Sequence, residues 1–311
     1  MHGYKKRHQQ MLGNKMILPF QNQNVEVKTE LRESNDIIEY PEKLHERMEE
    51  DGYLLIRGLH DKDTVLAARR QILERLDAKG MLARDISLMD GVFNTEFPEP
   101  TSTGSMGNKD LTQTSSFKAV VEGSPILNFF KFFLGGEVRT FDFKWLRTAG
   151  PGSSSPIHYD IVFMGRGTQN LYSCWTPFGD VSLEMGPIVF CLGSHQFEKV
   201  RETYGQSDVD RDLIEGHFSE NPLDIVENFG GEWATTTFFV GDVVIFSVYL
   251  MHASLVNTSD KIRITADTRY QLASEPVDER WIGDKPIGHY AWKQPDAKIE
   301  SLDASRRRWG V

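Results

Sequence analysis

One short stretch, 153–163, constrains this chain more than any other. A Gly/Ser/Pro-rich run ends at Pro156, and the mainly apolar segment that follows contains a histidine and a carboxylate two positions apart, His158 and Asp160. If this segment is a β-strand, alternate side chains face the same way, so the two polar groups project from one face. An imidazole and a carboxylate aimed at one point supply two of the three ligands of a 2-His-1-carboxylate metal site.

The second histidine of such a site must come from elsewhere among the nine histidines of the chain. His252 follows the apolar run 243–250, which we expect to be a strand entered through Gly241. By parity His252 closes one face of that strand and could reach a central site, although a lone histidine at a strand end is more often structural. His195 follows another apolar run and is interpreted as structural, close to the same region.

The next predicted strand, 262–271, favours a functional role for His252 over a structural one. Its odd positions are polar and its even positions are mostly apolar, so that one face carries Arg263, Thr265, Asp267 and Arg269. A polar face of this kind commonly meets solvent. The alternative is that it lines the interior of a barrel, with Ile262 and Ile264 under the N-terminal helices. An arginine there would offer its planar fork to the carboxylate of a ligand.

Composition narrows the class of protein. The 311 residues are 39% hydrophobic and 26% charged, which is typical of a globular protein. A net charge of −10 argues against nucleic acid as a partner, since phosphate binding needs an excess of lysine and arginine. No apolar stretch reaches membrane-spanning length, and no apolar region follows the basic N-terminus. The expected compartment is the cytoplasm, and Cys174 and Cys191 are expected to be buried free thiols.

The pattern along the chain predicts one domain with two extensions. Residues 1–39 are interpreted as an irregular polar arm that packs on a partner or on the domain surface, or is loosely ordered. Residues 40–295 are interpreted as a single domain, and 296–311 as a C-terminal tail that carries the solvated cluster Arg306–Arg308. We expect a β-rich core at 137–272, interrupted by a charged insert at 196–233. The predicted helices are 41–51, 61–79 and 124–134. The predicted strands are 138–148, 157–164, 170–177, 187–192, 235–240, 243–250 and 262–271. Many short strands after a helical N-terminal third favour a β-sandwich or jelly roll buttressed by helices.

Several of these segments together resemble the phytanoyl-CoA dioxygenase (PhyH) family of Fe(II)- and 2-oxoglutarate-dependent oxygenases, over about residues 40–272. The matching residues are His158-Tyr159-Asp160, Gly186-Pro187, Gly193-Ser194-His195, Gly241-Asp242-Val243, His252-Ala253-Ser254, Arg263, the run from Asp51 to Gly58, and the Phe-rich helix ending in Leu134-Gly135-Gly136. The specific part is the His-x-Asp motif with a distal histidine and an arginine eleven residues beyond it. One departure is Leu192, before Gly193, where the family often has a proline.

The resemblance implies a mainly β fold with flanking helices, a double-stranded β-helix of the jelly-roll or cupin-like type. It implies that His158, Asp160 and His252 hold Fe(II) on one face of an octahedron, which leaves open positions for 2-oxoglutarate and O2. Related iron halogenases lack the carboxylate, so the presence of Asp160 favours hydroxylation, although desaturation or ring chemistry also fit.

The resemblance also implies a place for the co-substrate. The distal carboxylate of 2-oxoglutarate would bind Arg263, Ser254 would assist that arginine, and Trp175 would lie near the co-substrate, with ascorbate as an optional reductant. Ser254 capping a turn and Trp175 lying in the core are equally open alternatives.

The function this favours is an Fe(II)- and 2-oxoglutarate-dependent dioxygenase that hydroxylates a small molecule and releases succinate and CO2. The alternatives are a cupin-like metal-dependent isomerase or binding protein, and an inactive scaffold of the same fold, against which the intact triad argues. The pocket walls are expected from 81–116, 196–233 and 272–295. No nucleic-acid or membrane partner is expected, and monomer and homodimer both remain open.

Overall fold

The computed structural model describes residues 11–12, 15–97 and 109–311, without the side chains of 11, 12 and 109. The predictions for residues 1–10 and for the middle of the 81–116 loop lie outside these residues. The described helices are α1 (Pro41–Asp51), α2 (Lys62–Ala78), α3 (Lys109–Thr112), α4 (Ser115–Val121), α5 (Ser124–Leu134), α6 (Ile161–Met164), α7 (Glu198–Glu202), α8 (Pro222–Phe229) and α9 (Leu302–Trp309). No helix in this part of the chain is long and apolar enough to cross a membrane.

The strands form two sheets. They are β1 (Met11–Leu12), β2 (Lys15–Phe20), β3 (Gln23–Lys28), β4 (Tyr53–Ile56), β5 (Val138–Thr140), β6 (Trp145–Ala149), β7 (Ser155–His158), β8 (Tyr172–Pro177), β9 (Ile188–Leu192), β10 (Glu232–Ala234), β11 (Val243–Ser247), β12 (His252–Ser254) and β13 (Arg263–Leu272). The seven-stranded sheet has the order β1-β2-β3-β10-β9-β12-β7. The six-stranded sheet has the order β4-β11-β8-β13-β5, with β6 also paired to β13.

The two sheets pack face to face around a shared interior. Phe190 of the seven-stranded sheet lies 5.1 Å from Phe246 and 5.8 Å from Tyr53 of the six-stranded sheet, measured between ring centroids. Two facing sheets with helices on their outer surfaces form the jelly-roll architecture that the sequence predicts.

The outer face of the six-stranded sheet is covered by helices from the N-terminal third. The even positions of β13, Ile264 and Ala266, pack with α2 and α4 in one apolar cluster. Helices α1 and α5 form a second cluster on the same sheet, in which the Phe130 ring lies 4.2 Å from Tyr270. The odd positions of β13 therefore face the interior. This is the arrangement in which polar groups line the barrel, and the three predicted helices are present.

The helix boundaries follow local signals in the sequence. Pro41 occupies the first turn of α1, where its missing N–H is not needed. Asp61 caps α2 by accepting a 2.8 Å hydrogen bond from the Thr64 amide. Gly52 and Gly135 end α1 and α5 in the left-handed conformation.

The outer face of the seven-stranded sheet is covered by the charged insert and the C-terminal residues. Helix α9 buries Trp309, whose ring lies 4.9 Å from Tyr204 of the insert. Arg306 forms a 2.5 Å ion pair with Asp224, and Arg308 forms one of 2.7 Å with Glu300. The C-terminal residues are thus docked, which differs from the solvated tail that the sequence suggested.

The N-terminal segment also differs from the prediction. Residues 15–28 form the β2–β3 hairpin at the edge of the seven-stranded sheet, where an irregular arm was expected. Leu18 and Phe20 on β2 and Val25 and Val27 on β3 are buried. Alternate burial of this kind is the signature of a half-buried strand, and the surrounding polar residues obscured it.

Three other strand predictions were wrong in detail. The predicted strand 138–148 is split into β5 and β6, and 243–250 ends as a strand at Ser247. The predicted strand 235–240 lies after β10, and of its residues Phe238 makes an isolated bridge to Val181. Short apolar runs between glycines do not fix strand ends on their own. Both cysteines are buried and free, as predicted, and burial raises the pKa of each thiol to about 12.

Candidate metal centre

The structure brings His158, Asp160 and His252 together between the sheets. His158 ends β7 and His252 begins β12, and the two residues are direct partners across this antiparallel pair. One ligand atom from each of the three side chains lies within 4.8 Å of the others. It is the one such group of metal-binding side chains in the part of the chain that the structure describes.

Asp160 reaches this position from a turn. The predicted strand 157–164 was wrong beyond His158, because the chain turns at Tyr159 and Asp160 precedes the one-turn helix α6 with φ −67° and ψ −29°. The Phe163 amide donates a 2.9 Å hydrogen bond back to the Asp160 carbonyl. An apolar run as short as 161–164 has the same composition in a strand and in a buried helical turn, so periodicity could not distinguish them.

The backbone that leads to His252 also differs from the prediction. Strand β11 ends at Ser247, and a turn closed by a 2.9 Å hydrogen bond from the Leu250 amide to the Ser247 carbonyl carries the chain into the other sheet. His252 is thus the first residue of a new strand, so parity along 243–250 does not determine its direction. Its pairing with His158 across β12 and β7 does.

Backbone carbonyls orient both imidazoles. Nδ1 of His158 lies 2.9 Å from the Pro156 carbonyl oxygen, and Nδ1 of His252 lies 2.9 Å from that of Leu250. Because a carbonyl only accepts, each Nδ1 carries the proton and each Nε2 presents a lone pair. These Nε2 atoms lie 3.6 Å (His158) and 3.9 Å (His252) from Oδ1 of Asp160, so the three donor atoms converge.

The other carboxylate oxygen of Asp160 is occupied by protein donors. Oδ2 accepts a 2.9 Å hydrogen bond from Nη2 of Arg269 and another from the Ser173 hydroxyl. Burial opposes ionisation of this carboxyl, but Arg269 and the two neighbouring imidazoles hold its pKa well below the usual range. Asp160 is therefore a carboxylate that offers one oxygen to the centre.

Burial shifts the pKa of His252 downwards, whereas burial by itself shifts that of Asp160 upwards. Loss of solvent, with a smaller contribution from His158, lowers the pKa of His252 to about 4. The side chain is therefore neutral at ordinary pH, which is the form that binds a metal ion.

A second group of polar side chains faces the same interior from both sheets. Nε of Arg263, Oγ1 of Thr265 and Oγ of Ser254 are buried, and none has a hydrogen-bond partner within the described residues. Burial lowers the pKa of Arg263 to about 10, which leaves the guanidinium charged. Buried polar atoms are rarely left unpaired, so these three are inner-surface atoms whose hydrogen bonds a ligand could satisfy.

Trp175 shares this inner face. It is the register partner of Asp267 across β8 and β13, which places it on the same side as Arg263. Its ring lies 4.7 Å from that of Phe238, within the apolar part of the interior. The structure thus gives Trp175 core contacts, next to the polar end of the pocket.

His195 has structural contacts. Its Nε2 lies 2.9 Å from the Glu49 carbonyl oxygen at the end of α1. Gly52 packs on the ring so closely that a Cβ there would lie 2.6 Å from Nδ1. These contacts join the β9 loop to α1, and agree with the structural interpretation of this histidine.

Four aromatic residues that could face the pocket or the core are all buried: Tyr204, Trp233, Tyr249 and Trp281. They belong to the cluster behind the seven-stranded sheet. Trp281 is the one in contact with an inner-face residue, since its ring lies 4.8 Å from that of Trp145.

Sequence reasoning missed two residues of the site. Ser173, which holds Asp160, lies two positions before Trp175 on β8, so strand parity could have indicated it. Arg147 lies on the inner face of β6 as the register partner of Thr265 and pairs with Asp267. The signal for Arg147 was weaker, because the predicted strand 138–148 was continuous.

Solved structures share this fold. EctD from S. alaskensis, in its apoform, superimposes with a TM-score of 0.54 at 18% identity, over 88% of this chain and 90% of that protein. The non-heme alpha ketoglutarate dependent carbocyclase SnoK from nogalamycin biosynthesis gives 0.53 at 17% identity, over 86% and 93%. The epimerase SnoN, in complex with Fe3+, alpha ketoglutarate and nogalamycin RO, gives 0.51 at 17%, over 84% and 92%. These similarities establish the double-stranded β-helix fold.

The sequence comparisons establish the family. The model of the phytanoyl-CoA dioxygenase (PhyH) family matches residues 48–265. A relative, the 1-deoxypentalenic acid 11-beta-hydroxylase of Streptomyces exfoliatus, is 26% identical over 259 residues, which cover 75% of this chain and 82% of the relative. The chain belongs to the phytanoyl-CoA dioxygenase family, as its motifs predict, and thereby to the iron- and 2-oxoglutarate-dependent enzymes.

Proposed function

We propose that this protein is a dioxygenase that uses Fe(II), O2 and 2-oxoglutarate to hydroxylate a small molecule, with release of succinate and CO2. The observation that carries the proposal is the state of the inner surface. A converging His-His-carboxylate group with its outer atoms already bonded shares the interior with Arg263, Thr265 and Ser254, each of which has a buried side-chain atom without a partner among the described residues.

The donor set fits Fe(II). Two neutral imidazole nitrogens and one carboxylate oxygen are the ligands of the facial triad of non-haem iron oxygenases, which leaves coordination positions open. His158, His252 and Oδ1 of Asp160 would hold the ion. Pro156, Leu250, Ser173 and Arg269 fix these ligands from behind. Ligand direction is thus set before the metal binds, which raises affinity and fixes the open side.

The unpartnered atoms fit a dicarboxylate. Arg263 is a buried cation with a planar fork, and carboxylates bind such a fork in a charge-assisted, bidentate manner. Thr265 and Ser254 are hydroxyl donors that face the interior from the two sheets, on β13 and β12. A 2-oxo dicarboxylate that reaches the metal with one end would satisfy Arg263 with its other end, and Ser254 or Thr265 would complete the contacts.

Bound together, Fe(II) and 2-oxoglutarate supply the oxidising power by coupling decarboxylation of the co-substrate to O2 activation. The protein contributes orientation. It holds Asp160 ionised and facing the metal with one oxygen, and it keeps His252 neutral.

Two observations favour hydroxylation among the reactions of this family. The carboxylate Asp160 is present, and the relative described above is named as a hydroxylase whose substrate is an acid.

The test is anaerobic titration of the apoprotein with Fe(II) and then 2-oxoglutarate, followed by visible absorbance. We expect a weak metal-to-ligand charge-transfer band in the wild type. In Asp160→Ala we expect no band and a loss of Fe(II) affinity greater than about a hundredfold, because changes to outer-shell residues alone typically reduce affinity ten- to a hundredfold. Asp36→Ala, at an exposed surface position, is the control and should behave as wild type.

Fe(II) bound to the wild type without any band on addition of 2-oxoglutarate would contradict the proposal. That result would favour a cupin-like isomerase or metal-dependent binding protein.

A further inference from the structure

Arg147 is the charged group of the inner surface that the proposed function does not use. Its Cα is the register partner of Thr265, so it shares the face of Arg263. Its side chain is 34% exposed, whereas that of Arg269 on the same surface is 4% exposed. Arg147 is therefore the inner-surface arginine that remains accessible to a ligand.

The charges on this surface do not balance. Arg147 interacts with Asp267 and Asp160, Arg263 interacts with Asp267 and Arg147, and Asp160 is paired with Arg269. Three arginines thus face two aspartates. Fe(II) and the dianion of 2-oxoglutarate would cancel each other, so a surplus of one positive charge remains after both bind. A ligand with one negative charge would neutralise this surplus through a charge-assisted hydrogen bond.

We propose that Arg147 binds the carboxylate of a monoanionic small-molecule substrate. This inference rests on the proposed function, since the surplus is counted with the metal and co-substrate bound.

The hydrogen-bonding capacity of Arg147 supports this assignment. Its Nε donates to Asp267, which sets the plane of the guanidinium. The terminal Nη groups carry the remaining N–H donors in a fork that matches a carboxylate. Burial opposes the charge, but Asp267 and, more weakly, Asp160 raise the pKa of Arg147, so the group stays cationic.

The surface beside Arg147 indicates the rest of the ligand. Trp145 lies two positions earlier on β6 and therefore on the same face. Its ring is held by the Arg269 guanidinium, 4.9 Å from the ring centroid, and by Trp281. The Phe163 ring lies 5.4 Å from that of His158. These rings suit an apolar body, so the substrate class is a hydrophobic monocarboxylic acid.

A surplus of one positive charge matches the charge of a carboxylate better than that of a phosphate ester. A carboxylate carries one negative charge at pH 7, whereas a phosphate monoester carries about 1.5 to 2. A phosphate ester would therefore overcompensate a surplus of one charge. The test includes both anions on the same carbon skeleton.

The experiment uses the anaerobic complex with Fe(II) and 2-oxoglutarate, whose charge-transfer band must first be seen in the wild type. Cyclic and aromatic monocarboxylic acids are then titrated in, each beside its primary amide and the phosphate ester of the corresponding alcohol. The shift of the band measures binding without turnover. The variants are Arg147→Gln and Arg147→Lys. Arg75→Gln, from the exposed ion pair between Arg75 on α2 and Asp110 on α3, is the matched control.

We expect acids to bind the wild type and the Arg75→Gln protein at least tenfold more tightly than their amides, and more tightly than the phosphate esters. Arg147→Gln should weaken acid binding about ten- to a hundredfold, since hydrogen bonds to charged groups are of that strength. Arg147→Lys should recover part of it. The affinity for 2-oxoglutarate should be unchanged in both variants.

Acids that bind no better than amides, including the case in which neither binds, would overturn the inference while the band itself upholds the proposed function. Weaker 2-oxoglutarate binding in Arg147→Gln would also overturn it, because Arg147 would then belong to the co-substrate site. The wild-type comparison of acids with amides holds even if Arg147→Gln does not fold.

Discussion

Strand β13 carries two arginines on the same face, Arg263 at its start and Arg269 near its end, and the two differ in their hydrogen bonding. Arg269 donates to the Asp160 carboxylate at 2.9 Å, and its guanidinium lies 4.9 Å from the Trp145 ring centroid. Arg263, six residues earlier and as deeply buried, has no partner for its Nε within the described residues. Arg269 is therefore part of the folded structure, whereas we propose that a ligand completes the hydrogen bonding of Arg263. A buried cation without a partner indicates a binding site more directly than a paired one.

The largest expected effect is the difference in the free energy of unfolding between substitutions at these two arginines. Arg269→Gln leaves the buried Asp160 carboxylate without its cation, and breaking one side of a buried ion pair typically costs about 3–5 kcal/mol. Arg263→Gln removes a charge whose Nε has no hydrogen-bond partner among the described residues and whose neighbouring carboxylate, Asp267, is already paired with Arg147. We expect it to leave the free energy of unfolding unchanged or higher. Urea unfolding of the apoprotein measures both changes.

Saturating 2-oxoglutarate with Fe(II) provides the control for that comparison. It should stabilise the wild type and have much less effect on Arg263→Gln, because only ligands that bind the folded state stabilise it. Equal destabilisation by the two substitutions in the apoprotein would show that Arg263 already has a structural partner.

A second pair of like residues, His252 in the site and His60 outside it, gives the next effect. Burial lowers the pKa of each to about 4, against about 6.5 in an unfolded chain. Between these values the unfolded state binds more protons than the folded state. Stability is therefore fully present above pH 6.5 and falls as the pH drops towards 4, by roughly 3 kcal/mol for each histidine.

Unfolding of apoprotein variants across this pH range measures the contribution of each residue. His252→Asn and His60→Asn should each reduce the slope by about one proton. Only His252→Asn should lose Fe(II) binding, because His60 is remote from the triad. Fe(II) binding retained by His252→Asn at wild-type affinity would remove His252 from the ligand set.

The smallest expected effect concerns Ser173, which supports Asp160 beside Arg269. Ser173→Ala removes one hydrogen bond to a charged oxygen, worth about 1.5–3 kcal/mol, and should weaken Fe(II) binding roughly tenfold. Thr176→Ala on the same strand is the control, because Thr176 lies on the opposite face. A competing chelator titration measures both affinities, and equal values for the two variants would show that Ser173 does not tune the carboxylate.

The three residues that converge, His158, Asp160 and His252, could be predicted from the sequence, whereas the way they meet could not. The spacing that selected these residues and Arg263 was informative even though the structure places some of them on other elements than predicted. Asp160 was expected on a strand and lies in a turn, and His252 was expected at a strand end and begins a strand of the other sheet. Both errors have one cause. Apolar runs of four or five residues are compatible with a strand, a helical turn or a crossing between sheets.

Strand alternation predicted side-chain direction correctly where the strand was long and had one polar and one apolar face. The ten residues of β13 alternate clearly, so the common face of Arg263, Thr265, Asp267 and Arg269 could be predicted. Which side of the sheet that face would meet could not, because it depends on helices α2 and α4 packing over Ile264 and Ala266. The partner of Arg269 was equally hidden, since it comes from a residue 109 positions away in the chain.

The most direct test of the central claim compares two ligands that differ in one carboxylate. 2-Oxoglutarate and 2-oxopentanoate present the same metal-chelating end, but only the first carries a distal carboxylate for Arg263. We expect the wild-type Fe(II) protein to bind 2-oxoglutarate at least about thirtyfold more tightly, since a buried charge pair that loses one partner typically loses 2 kcal/mol or more. Arg263→Gln should bind the two ligands about equally. The same preference for 2-oxoglutarate in wild type and Arg263→Gln would contradict the account, because the distal carboxylate would then be bound elsewhere.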